Sequence, residues 1–114
     1  MSVAWDVQNG VIDAVKQTVN AQNVHEVYNG RTAVQIAADY GQTAVIEYLI
    51  SIGANIQEKD KYGITPLLSA VWEGHHDAVK LLLEHGADRS IFAPDGTALI
   101  DCTEEESIRE LLKK

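Results

Sequence analysis

Between Thr65 and Gly86 the apolar positions form two short helical patterns separated by a glycine. Thr65 and Pro66 suit a helix start: the threonine accepts otherwise unpaired amide protons, and the proline at the first helical position has its φ preset. Leu67, Leu68 and Ala70 follow, and this inner helix is predicted to run to about Trp72-Glu73, where Gly74 breaks it. His75-His76-Asp77 then open an outer helix whose Val79, Leu82 and Leu83 recur at helical spacing until Gly86. Upstream, Asp60-Lys61-Tyr62-Gly63 reads as a projecting turn.

The same plan occurs once more in weaker form. A constant offset of 33 residues separates Thr32 from Thr65, Gly41 from Gly74 and Gly53 from Gly86. That period is the mark of stacked helix-turn-helix repeats. In the earlier copy Asn29-Gly30 is the turn, Thr32 the cap, Ile36-Ala37-Ala38 the inner core, and Val45, Tyr48 and Leu49 the outer core. The small residues Ala37, Ala38 and Ala70 let neighbouring inner helices approach closely, where larger side chains would overpack.

Both ends read as incomplete copies. Asn9-Gly10-Val11-Ile12 aligns with Tyr40-Gly41-Gln42-Thr43, so the chain starts inside an inner helix with no turn before it. The last copy starts at Pro94-Asp95-Gly96-Thr97, with Thr97 taken as the equivalent of Thr65 and Cys102 as that of Ala70. Its connection to Leu111-Leu112 is trimmed, and Glu104, Glu105 and Glu106 are expected to cover the open end. The expected fold is an all-α solenoid in one domain over 1–114, divided into an N-terminal capping unit (1–26), two repeats (27–59 and 60–92) and a C-terminal capping unit (93–114).

Charge narrows the partner. With 17 acidic and 9 basic residues the net charge is −8, which opposes nucleic-acid binding, because phosphate contacts need a cationic face. A basic protein surface fits, although the acidity also serves solubility alone. A single cysteine cannot close an intramolecular disulfide and suits a reducing compartment. Polar residues interrupt the first 20 positions, and no run is long enough to span a bilayer. A cytoplasmic monomer with nuclear access is expected.

Thr65-Pro66-Leu67, Gly74-His75, Leu81-Leu82-Leu83 and Gly86-Ala87-Asp88 make the chain resemble the ankyrin-repeat family over almost its whole length. Within that family it is most similar to a small four-unit member, and this resemblance implies inhibition of the heterodimeric actin capping protein, leaving filament barbed ends free to grow. It also implies, with less weight, association with a Rel-type transcription factor; a small bivalent scaffold is the structural alternative. Three places depart from the expected pattern, one of them Tyr40, which stands where a small residue is expected. Thr32-Ala33-Val34-Gln35 replaces the usual Thr-Pro-Leu-His, so the second unit is expected to be the softer one. Leu68 stands at the usual histidine position of the third unit, where apolar packing replaces a polar link.

In such a stack the projecting turns and inner helices line a concave wall, and the residues free to vary there select the partner. Alignment of the copies puts Gln8, Asp39 and Trp72 in one column of inner-helix ends, with Tyr40 and Glu73 in the next. Tyr28, Arg31, Lys61, Tyr62 and Asp95 occupy the projecting turns, and Trp5 stands at the position of Ile36 and Ser69. Trp5, Tyr40, Tyr62 and Trp72 are the expected aromatic anchors, and Asp39 and Glu73 the expected readers of partner cations. The alternative remains that Tyr40 and Trp72 pack across the groove between repeats, and that Trp5 closes the N-terminal core.

No catalytic or cofactor chemistry is expected. His75 and His76 point about 100° apart on a helix, unsuited to joint chelation, and no cysteine-histidine cluster accompanies them. Cys102 has no assignable base and is expected to be a small buried residue. Glycine-rich phosphate loops, nucleophile elbows and paired-carboxylate motifs are missing from the sequence.

Overall fold

The computed structural model describes residues 2–113, so Met1 and Lys114, the outer bounds of the two end units, lie outside it. Helices come in antiparallel pairs: α1 (Val3–Gln8) with α2 (Ile12–Thr18), α3 (Ala33–Asp39) with α4 (Thr43–Ser51), and α5 (Pro66–Trp72) with α6 (His76–Glu84). A single 3-10 turn over Leu99–Cys102 pairs with the last helix, α7 (Glu106–Leu112). Two-residue strands, β1 (Val27–Tyr28) and β2 (Arg31–Thr32), pair antiparallel with Val27 opposite Thr32. Asn29 and Gly30 connect them with φ of 56° and 90°, the two left-handed positions of a tight hairpin turn. Four layers at the usual 8–10 Å helix spacing account for the long dimension of 37 Å.

The core is one continuous strip along the stack. Ala37, Ala38 and Ala70 are fully buried, and their missing bulk lets α3 and α5 pack directly on each other. Ile46, Leu49, Val79 and Leu82 are equally enclosed on the outer helices. Thr65 behaves as expected, its hydroxyl accepting the Leu68 amide at 3.2 Å with Pro66 at the first turn.

Polar side chains tie each layer to the next. Gln42 Nε2 donates to the Gln8 carbonyl at 2.8 Å, and one repeat later His75 Nε2–H donates to the Asp39 carbonyl at 2.9 Å. Tyr48 Oη reaches the Val19 carbonyl at 2.7 Å. Gln35 contributes the link least legible in the sequence. Nearly fully buried, it accepts from the Thr32 amide and donates to the Glu58 carbonyl, both at 2.7 Å. The second unit therefore has a capping partner and a polar link in place of its missing proline. The pair is reciprocal only in outline: Thr32 Oγ1 faces the Gln35 amide without adequate hydrogen-bond geometry and stays buried without a partner. At the equivalent position Leu68 is buried in apolar packing, as anticipated.

Gly41 allows the His75 link to form. Its φ is +68°, and a Cβ there would stand 2.6 Å from His75 Nδ1. Gly41→Ala is expected to cost about 2 kcal/mol, combining left-handed strain with the displaced imidazole. Gly53 has a φ of +102° with nothing within 4 Å of a Cβ, so Gly53→Ala should cost only about 1 kcal/mol. Urea unfolding of both variants checks this, and equal losses would refute the close-packing explanation.

The C-terminal unit corrects the sequence reading by one residue. Ala93 N–H bonds to the Thr97 carbonyl as Asp60 N–H bonds to that of Ile64, so the 33-residue offset persists and Ala98, not Thr97, stands at the cap position of Thr65. Alanine offers no oxygen to the first amides, and only a 3-10 turn forms. Cys102 consequently matches Ser69 instead of Ala70 and is half-buried at the surface rather than enclosed. Arg109 holds this turn, its Nη1 donating to the carbonyls of Ile100 at 2.8 Å and Thr103 at 3.2 Å. Glu104, Glu105 and Glu106 are all exposed, and the Glu105 carboxylate reaches to within 2.9 Å of where a Gly74 Cβ would lie. Among the described residues no helix is long and apolar enough to cross a membrane, and no group of three or more His, Cys, Asp or Glu could hold a metal ion.

Candidate protein-binding groove

Because each inner helix ends near the concave rim, the residues at its C-terminus fan out beside the projecting turns. Asp39 is the last residue of α3 and Trp72 that of α5, with Tyr40 and Glu73 as their C-caps. Between the projecting turns of the second and third units these elements enclose an open cavity of about 390 Å³. Arg31, Asp39, Lys61, Tyr62, Trp72 and Glu73 all line it, joined by Asn29, Asp60, Ile64 and Ser69. Trp72 is also a wall of the next cavity, about 240 Å³, together with Ala93, Asp95, Thr97, Asp101 and Cys102. One half-exposed indole thus separates two consecutive cavities.

The remaining sequence-selected residues lie outside both. Trp5 and Tyr40 are 43% and 42% exposed, so neither is enclosed in the core. Gln8 contributes its backbone carbonyl to the Gln42 link. Tyr28 is partly buried, and burial, with Glu26 adding, pushes its phenol up. Phe92, which the sequence did not single out, is with Tyr62 the most exposed of the large hydrophobic residues described, at 64% each.

The charges in the first cavity are largely matched internally. Arg31 Nη1 lies 3.2 Å from Asp39 Oδ2, so Asp39, expected as a reader of partner cations, already holds one. Lys61 Nζ sits 5.2 Å from the Tyr62 ring centroid. Asp60 Oδ1 accepts the amides of Tyr62 at 2.8 Å and Ile64 at 3.1 Å, which shapes the turn. Glu73 differs: it is exposed at the negative end of α5 and has no side-chain partner among the described residues. A carboxylate there opposes the helix dipole by a few tenths of a kcal/mol up to about 1 kcal/mol, which a basic partner would relieve.

Asp60, Ser69, Asp101 and Cys102 were missed as groove residues. For Ser69 and Cys102, the signal was available in the unbroken 33-residue column of Ile36, Ser69 and Cys102.

Residues 3–93 match the family described as ankyrin repeats (3 copies). The chain is 46% identical to myotrophin of Xenopus tropicalis over 110 residues, covering 95% of this chain and 93% of that protein. An ankyrin repeat protein of Rickettsia bellii is 39% identical over 66 residues, which is 57% of this chain but 28% of that protein. Protein phosphatase 1 regulatory subunit 12A of Mus musculus is 30% identical over 105 residues, 87% of this chain and 10% of that protein.

Proposed function

The chain belongs to the ankyrin-repeat family, and from that premise we propose that it is a noncatalytic inhibitor of the heterodimeric actin capping protein, acting as a cytoplasmic monomer. Ankyrin stacks bind other proteins through turns and inner helices, and similarity to myotrophin along nearly its full length is the likeness that implies this partner. The observation that carries the binding surface is Trp72, 44% exposed between two cavities with Tyr62 and Glu73 beside it. Exposed indole and phenol rings supply desolvated area, while Glu73 and the net charge of −8 favour a basic surface such as one that approaches actin filaments. Occupying that surface would leave barbed ends free.

The test is elongation of pyrene-labelled actin from seeds in the presence of capping protein. Adding the chain should restore barbed-end growth in proportion to its concentration. Continued block at a saturating concentration would remove capping protein as the partner while leaving the groove itself open to other proteins.

A further inference from the structure

The two cavities on either side of Trp72 are unlike in charge. The first mixes both signs: Arg31 is set against Asp39, Lys61 against the Tyr62 ring, Asp60 accepts backbone amides, and Glu73 stands at the rim. The second is lined by two carboxylates, Asp95 and Asp101, and by no basic side chain. Arg109 approaches Asp101 only to 3.9 Å, and its Nη1 is committed to the carbonyls of Ile100 and Thr103.

We infer that the cavity between the third and fourth units is a subsite for one arginine or lysine side chain of a protein partner, with the Trp72 ring as its wall and Asp95 and Asp101 as its counter-charges. A cation over an indole face gains from the ring quadrupole, and more as the partner excludes water. Two carboxylates at the rim supply the charge complementarity that fixes which residue enters. The Thr97 backbone amide, donating to Asp95 Oδ1 at 3.0 Å, is the first of the bonds that keep this carboxyl below its usual range and therefore ionised. A partner cation in the first cavity would meet Arg31 and Lys61 among its carboxylates, so the attraction there is weaker and is concentrated at Glu73 on the rim. This inference rests on the concave face being the binding face, and not on the partner being capping protein.

Cys102, the chain's single cysteine, lies in this cavity and reports on it directly. Burial pushes its thiol up, with the Trp72 side chain partly offsetting this and Asp95 and Asp101 adding to it, so alkylation is slow and sensitive to what fills the site. The experiment measures the alkylation rate of Cys102 with acetyl-Gly-Arg-Gly-amide, and with the same peptide carrying citrulline for arginine, at matched ionic strength. At about 50 mM, a range suited to so small a ligand, the arginine peptide should slow labelling about threefold and the citrulline peptide should not. Asp95→Asn with Asp101→Asn should abolish the protection; asparagine at 95 keeps an oxygen for the Thr97 amide, and Asp101→Asn alone serves if the double variant is unfolded. Equal slowing by both peptides, no slowing, or slowing that survives the substitutions would overturn the subsite. Because capping protein takes no part, failure here and failure of the actin assay are separate results.

Discussion

Trp72→Ala is expected to weaken binding of capping protein about thirtyfold, close to 2 kcal/mol, while leaving the melting temperature almost unchanged. Among the described residues the indole is the only side chain lining both cavities, so its removal takes the wall from each at once. Its position at the end of α5, 44% exposed, keeps the folding cost small, since the core beneath it consists of Leu67, Leu68, Ala70 and Val71. Tyr40→Ala is the matched control. Tyr40 is equally exposed and likewise ends an inner helix, yet it lines neither cavity. Its loss should change affinity less than about twofold if binding is centred on Trp72, because contacts outside a hot spot contribute little. Calorimetric titration of both variants decides the matter: equal losses would spread the interface along the rim, and an unchanged Trp72→Ala affinity would remove the groove as the docking site.

For stability the largest single-residue polar effect is expected at Gln35. Gln35→Ala should cost about 3 kcal/mol, because it strands the buried Thr32 amide, releases the Glu58 carbonyl and leaves a void where the side chain lay. Gln57 makes the same kind of two-ended bridge, donating to the Gly86 carbonyl at 2.8 Å and accepting from the Asp88 amide at 3.1 Å, but it is exposed. Water can replace both of its bonds, so Gln57→Ala should cost less than about 1 kcal/mol. Denaturant titration of the two variants separates them. Similar losses would mean that burial is not what makes the Gln35 bridge valuable.

The contrast between these glutamines shows what a comparison of helix starts leaves out of the second unit. Replacing Pro66 by its counterpart Ala33 removes a local preference, and local preference is all that the comparison of Thr32-Ala33 with Thr65-Pro66 reveals. Whether Gln35 is buried, and which distant carbonyl lies opposite its amide, depends on the projecting turn 23 residues further on. Tertiary contacts of that kind can outweigh a propensity of well under 1 kcal/mol at an ordinary helix position.

Groove residues divide in the same way. Trp72, Glu73, Asp39, Arg31, Lys61 and Tyr62 were all recognised through the repeat offset, because a periodic stack puts equivalent positions on one face. Their grouping around one cavity, with Trp5, Gln8, Tyr28 and Tyr40 left outside it, required the actual curvature and the placement of the turns. Asp39 shows the consequence most clearly. As a surface acid it looked available, but the arginine eight residues before it in the hairpin closes on it at 3.2 Å. Glu73, the next residue after Trp72, keeps its charge unmatched by any side chain among the described residues.

The sequence by itself determined the stack: the 33-residue period, the Thr65-Pro66 helix start, the glycine breaks and the small inner-helix residues each act over a few positions, so their effects are legible locally. The same offset, carried on to the last unit, puts Ala98 at the position of Thr65; only the tertiary structure decided that Cys102 faces a cavity and that Trp72 divides a groove of mixed charge from an acidic one. Those outcomes depend on side chains from different layers meeting across the stack, and the distance between two layers is set by packing, which no local pattern encodes.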